Sequence, residues 1–206
     1  MSALGRLIFV RHGQTHANVD RLWHGSTDTP LTEFGLAQAR QLGGYFHNVM
    51  KPDVVFASPL QRARNTAEAI ASKHNLQVNL DSRLQELCLG EWEGLHFDDI
   101  NSSHDKDGRI YRDPDFAPPG GESQRMVRDR MVAAIEEVLS THRGRNIVVV
   151  SHGVALGIAL SHFLHSDTTK WLQYNHLNTA FSELCLRERK LIYFNRTDHY
   201  DWRDSA

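Results

Sequence analysis

The chain has 206 residues, 40% of them hydrophobic and 23% charged, which is the balance of an ordinary globular protein long enough to bury a real core. Lysine and arginine total 23 against 25 aspartates and glutamates, so there is no electrostatic footprint for nucleic acid, though a local positive pocket is compatible with that balance. No apolar run approaches bilayer-spanning length, residues 4–10 are too short for a leader and carry Arg6, and Cys88 and Cys185 make no disulfide framework; a cytoplasmic location is expected.

Residues 7–10 (Leu-Ile-Phe-Val) read as a buried strand. Thr32 then precedes a helical run to about residue 48, with Leu36, Ala39, Leu42 and Phe46 on one face and Gly43-Gly44 weakening it. Residues 53–57 are the next strand. Ser58-Pro59 reads as an N-cap followed by proline at the first helical position, opening a helix to about residue 74. Residues 76–80 form a third, weaker strand. Residues 98–121 look irregular, an insertion or lid beside the expected site. Helix resumes over 122–143, with Val127, Met131, Ile135 and Val138 in register. An all-apolar strand at 147–150, a helix at 154–164 and a hairpin over 181–194 complete the chain.

Strand alternating with helix predicts an α/β fold: a three-layer sandwich, with a mostly parallel central sheet, one antiparallel edge strand and helices on both faces. One domain covers 1–206. Neither an internal repeat nor a low-complexity tract is visible.

Two histidines follow apolar strands directly, in Val10-Arg11-His12-Gly13 and Val150-Ser151-His152-Gly153. Ligands in such sheets bind beyond the carboxyl ends of the strands, where glycine lets backbone approach closely. One strand-end histidine reads as a sheet cap; two, one of them beside an arginine, do not. Arg62 opens the helix after another strand and points to the same edge. Arg11 and Arg62 can hold phosphate oxygens bidentately. A neutral imidazole is a good nucleophile toward phosphorus, and a second can hydrogen-bond the equatorial oxygens. No metal cage is visible. His162, His165 and Asp167 read as surface residues rather than a metal site.

The chain resembles the histidine phosphatase superfamily, in its phosphoglycerate mutase-like branch. The residues that carry the likeness are Arg11-His12-Gly13-Gln14-Thr15, continued through Asn18, Arg21, Gly25, Asp28 and Gly35. Ser58, Arg62, Ala63, Thr66 and Ala67 follow. Leu84, Glu86, Gly90, Trp92, Glu93 and Gly94 come next, then Pro119-Gly120-Gly121-Glu122-Ser123, and Ser151-His152-Gly153 closes the set.

The resemblance implies a metal-independent phosphatase with no cofactor, acting on a small phosphorylated metabolite, with neither nucleic acid nor membrane as partner. It implies that His12 becomes phosphohistidine, that Arg11, Arg62 and His152 bind the phosphoryl group, and that Glu86 is the general acid and base. Asn18, Thr15, Gly25 and His24 are expected on the substrate. Trp23 is either a leaving-group selector or a packed anchor. The apolar Cys88-Leu89 strip and the short insertion favour phosphatase over mutase, while Lys106, Arg109 and Arg112 in that insertion keep an acidic substrate open. A mutase-type phosphotransferase, a non-catalytic phosphate-binding module and a metallohydrolase are the alternatives.

Overall fold

The computed structural model describes residues 5–200. Six strands, β1 (Leu7–Arg11), β2 (Val54–Ala57), β3 (Val78–Leu80), β4 (Ile147–Ser151), β5 (Phe181–Cys185) and β6 (Lys190–Arg196), form one sheet in the order β3-β2-β4-β1-β5-β6. Four strands from β3 to β1 run parallel, and β5 runs against both β1 and β6. The antiparallel pairing thus lies toward one edge, with the strand outside it belonging to the terminal hairpin.

The helices are α1 (His16–Val19), α2 (Glu33–Val49), α3 (Gln61–Ala71), α4 (Phe97–Asp99), α5 (Arg109–Arg112), α6 (Gln124–Thr141) and α7 (Gly153–His165). The uninterrupted apolar runs in β1 and β4 have a simple cause. Leu7, Phe9, Ile147 and Val149 join one core with residues of α6 and α7, while Ile8, Val10, Val148 and Val150 join a second core with residues of α2 and α3. Both faces are covered, so both side-chain sets must be apolar. Each such fully buried aliphatic side chain contributes about 1.5–3 kcal/mol.

Gly43 does not interrupt α2. A Cβ there would stand 2.2 Å from the Ala69 carbonyl, so the missing side chain lets α2 and α3 pack closely. The start of α3 differs from the sequence expectation: its N-cap is Leu60, not Ser58, and Pro59 lies before the helix. The Ser58 hydroxyl instead accepts from Leu60 N (3.3 Å), and Asp28 Oδ1 accepts from Gln61 N (2.9 Å). A loop distant in sequence thereby supplies the cap.

Residues 98–121 are built from short turns, including a π-helical turn at Ile100–His104 and α5. Buried Asp105 organises them by accepting from Arg109 N and Ile110 N (2.8 and 2.9 Å). Among the described residues, no helix is long and apolar enough to cross a membrane.

Candidate active site

β1 and β4 are parallel neighbours with Arg11 opposite Ser151, so the next residue of each strand, His12 and His152, emerges at the same level. Their ring centroids are 5.2 Å apart and both side chains are buried. Gly13 is needed here because a Cβ would meet the Gly35 carbonyl at 2.6 Å.

Hydrogen bonds assign the ring protons. His12 Nδ1 lies 2.7 Å from the Gly13 carbonyl, an obligate acceptor, so Nδ1 carries the proton and Nε2 the lone pair. For His152 the order is reversed. Arg62 Nε donates to His152 Nδ1 (3.2 Å), which leaves the proton on Nε2, and that atom is buried with no protein partner. Burial first, then the fields of Arg62 and Arg11, hold His12 well below the usual imidazole range. Burial and then Arg62 do the same to His152. The pair is therefore one neutral nucleophile and one neutral donor.

Arg62, only 2% exposed, reaches in from the first turn of α3. Besides His152 it donates to the carbonyls of Thr27 (2.8 Å) and Gly25 (2.7 Å), which leaves two of its N–H groups for a ligand. Arg11 donates to the His176 carbonyl, and its buried Nε has no protein partner. Glu86 is buried at the N-terminus of α7, where its carboxylate accepts from Val154 N (3.0 Å), Ala155 N (2.8 Å) and Leu87 N (2.9 Å). Helix N–H groups and the aligned peptide dipoles favour a carboxyl group there.

Arg11, His12, Arg62 and Glu86 all line one cavity of about 290 Å³, and Thr15, Asn18 and His24 line it too. That volume lies just below the roughly 300–1,000 Å³ typical of ligand sites. Thr15 Oγ1 caps α1 by accepting from Asn18 N, while Asn18 Oδ1 accepts from Thr15 N and Asn178 Nδ2. The Asn18 amide NH2 is the group left for a ligand. Gly25 is not in the cavity wall; its carbonyl holds Arg62, and a Cβ would stand 1.9 Å from the Leu87 carbonyl. Trp23 both packs and lines the cavity, being 5% exposed and stacked on Phe97 and Tyr111. His165 is exposed against the Tyr174 hydroxyl, and among the described residues no cluster of three or more His, Cys, Asp or Glu is placed to hold a metal.

The sequence model of the histidine phosphatase superfamily (branch 1) matches residues 7–196. The chain belongs to that superfamily. It is 34% identical over 169 residues to the probable phosphoglycerate mutase GpmB of Salmonella paratyphi C, covering 77% of this chain and 74% of the relative. A mycobacterial glucosyl-3-phosphoglycerate phosphatase complexed with VO3 superposes with a TM-score of 0.84 at 28% identity, over 93% of this chain and 99% of that one. The phosphoserine phosphatase of Entamoeba histolytica, in complex with 3-phosphoglyceric acid, gives 0.85 at 27% identity, over 95% and 99%.

Several residues of this histidine phosphatase site carry no local signal in the sequence. Asn178 donates to the His12 carbonyl (3.1 Å) as well as to Asn18, from the segment before β5. Arg130, on α6, donates to the carbonyls of Arg83, Gln85 and Glu86 and to the Glu122 carboxylate, which fixes the backbone on which Glu86 stands. Glu93, present in a family motif, has a role only the fold reveals: it accepts from the N–H groups of Gly25, Ser26, Thr27 and Leu89.

Proposed function

We propose that this chain hydrolyses small phosphate monoesters without a metal, through a phosphohistidine on His12. The observation that carries it is the opposite protonation of the two buried imidazoles, a lone pair on His12 Nε2 beside an unpartnered donor on His152 Nε2.

In the first step His12 Nε2 attacks phosphorus, forming the N–P bond as the ester P–O bond breaks. Glu86 gives its proton to the departing oxygen. A water then attacks the phosphohistidine, Glu86 takes a proton from it, and phosphate leaves as His12 is regenerated. Arg11, Arg62, His152 and the Asn18 amide meet the equatorial oxygens. Catalysis of this kind is positioning plus charge stabilisation, which two arginines and a donor imidazole supply. A positioned acid adds about 10²–10⁴-fold for a poor leaving group.

The name of the Salmonella relative keeps a mutase reading in view. Such a reaction needs a cation for the substrate carboxylate. Among the described residues lining the cavity, Arg11 and Arg62 are the only permanent cations, and both serve the phosphoryl end; Lys106, Arg109 and Arg112 lie outside it. Arg109 instead pairs with Asp113 (2.9 Å) and covers Phe116.

The test is phosphate release from a panel of esters in EDTA, with His12→Ala alongside and acid quench for an acid-labile phosphoryl adduct. Release that survives EDTA, an adduct in the native protein and loss of both in the variant are expected. Release abolished by EDTA, or retained by His12→Ala, refutes it; isomerisation of 3-phosphoglycerate without release supports the mutase.

A further inference from the structure

Beyond the phosphoryl subsite, the cavity wall is an aromatic row. Phe97 stacks on Trp23 (centroids 5.1 Å, 26° between planes), Trp23 on Tyr111 (6.0 Å, 16°) and Tyr111 on Trp171 (6.1 Å, 18°). All of these residues line the cavity, with Leu22 and Leu172 beside them.

The row is assembled from distant parts of the chain and held by backbone bonds, a side-chain bond and core packing. The backbone of Trp23 is held at both ends: Trp23 N donates to the Leu95 carbonyl (2.9 Å), and the Trp23 carbonyl accepts from Gly94 N (2.9 Å). Tyr111 is fixed by its hydroxyl, which donates to Asn101 Oδ1 (2.9 Å). Trp171 is 3% exposed and packs in the core with α7. Preordered aromatic side chains on a cavity wall accept an apolar group at little entropic cost.

Charge gives the complementary half. Once a phosphoryl group has engaged Arg11 and Arg62, the remaining described wall has no permanent cation, and its polar members, such as His24, Thr29 and Asn175, offer at most hydrogen bonds. Glu86 lines the same wall and brings no positive charge to it, so an anion on the leaving group finds no countercharge there.

We infer that the leaving group is an uncharged alcohol bearing an aromatic or similarly flat apolar group, and that carboxylate-bearing esters are poor substrates. This rests on the phosphatase reading and names its substrate class. Discrimination of this sort, apolar burial gained against a carboxylate left unpaired, is worth at least about tenfold.

The test compares esters of similar alkyl alcohols, so that leaving-group reactivity does not set the ranking: benzyl phosphate, glycerol phosphate and 3-phosphoglycerate. The expected kcat/KM for benzyl phosphate exceeds that for 3-phosphoglycerate by about tenfold or more. Leu172→Arg, at a position 51% exposed and so tolerant of the change, should narrow that ratio at least about tenfold by offering the carboxylate a partner. Tyr111→Ser should weaken benzyl phosphate more than glycerol phosphate. Calorimetry with benzylphosphonate and 3-phosphonopropionate reads the same preference without turnover. Equal or better use of 3-phosphoglycerate, matched by equal or tighter 3-phosphonopropionate binding, overturns the inference and leaves the phosphatase standing. Tighter benzylphosphonate binding with no ester hydrolysed upholds the preference of the cavity and overturns the phosphatase.

Discussion

Arg62 donates its Nε–H to His152 Nδ1 across 3.2 Å, and that single bond decides which nitrogen of His152 is bare and which carries the proton. A guanidinium has no acceptor, so His152 Nδ1 must be the bare nitrogen. The carbonyls of Gly25 and Thr27 hold the other end of the fork, so the loop at residues 25–27, Arg62 and His152 orient one another in series.

Arg62→Lys should therefore do more damage than a conserved charge suggests. An ammonium cannot reach His152 and both carbonyls in one plane. The expected loss in kcat/KM is about 10²-fold, approaching the 10²–10³ typical of a lost oxyanion donor. Nitrogen NMR of His152 should show the Nδ1-protonated tautomer gaining population. An unchanged tautomer in a poorly active variant would separate the two effects and sink this explanation.

Acid should leave the nucleophile intact long after an ordinary imidazole is charged. Burial, followed by Arg62, lowers the proton affinity of both His12 and His152, so the acid limb of kcat/KM should lie well below 6.5. Stability behaves oppositely. Burial lowers His176 and His199 from 6.5 to about 4. As pH falls below 6.5 the unfolded chain binds protons that the native state refuses, so stability is full above 6.5 and declines toward 4. Melting curves from about pH 8 down to about pH 4 test this. A flat melting temperature across that range would contradict it.

The parts of the fold visible in the sequence are those with local causes. β1 and β4 stand out because each is buried on both faces, and Thr32 announces α2 because its own hydroxyl caps Gly35 N. The start of α3 misleads because the cap belongs to Asp28, a partner that sequence spacing does not reveal. The site divides in the same way. His12 and His152 are legible as strand ends, and the β1–β4 register brings them together. Gly25, placed on the substrate by the family resemblance, lies outside the cavity wall and gives its carbonyl to Arg62, and Arg130 looks like any helix arginine until the carbonyls of Arg83, Gln85 and Glu86 converge on it.

Glu86→Gln tests the proton donor directly. The amide oxygen can still accept from Ala155 N and Leu87 N, but the amide nitrogen faces Val154 N, so a buried donor is stranded at a cost of about 1–3 kcal/mol. Activity on benzyl phosphate should fall about 10²–10⁴-fold. Loss on p-nitrophenyl phosphate, whose phenolate leaves without a proton, should be at least about tenfold smaller. Equal losses on both esters would mean that Glu86 serves geometry and not proton transfer.

Glu93 is expected to position Arg62 without touching the substrate. Burial alone would raise its pKa, but the N–H groups of Leu89, Ser26 and Thr27 outweigh that and lower it, so its contribution is present above about 4.5 and lost in acid. Its Oε1 serves Ser26 and Leu89 and its Oε2 serves Gly25 and Thr27, the loop that holds Arg62. Glu93→Gln keeps one acceptor oxygen and turns the other into a donor aimed at N–H groups. Stability should drop by about 1–3 kcal/mol, a few degrees in Tm. If Gly25 and Thr27 drift, the fork drifts with them, and a displacement near 1 Å costs on the order of 10²-fold in rate. Both kcat and kcat/KM should fall, with His12 phosphorylation slowed in single-turnover quench. A lower Tm with unaltered phosphorylation would show that the loop tolerates the loss and that Arg62 holds its place through α3 alone.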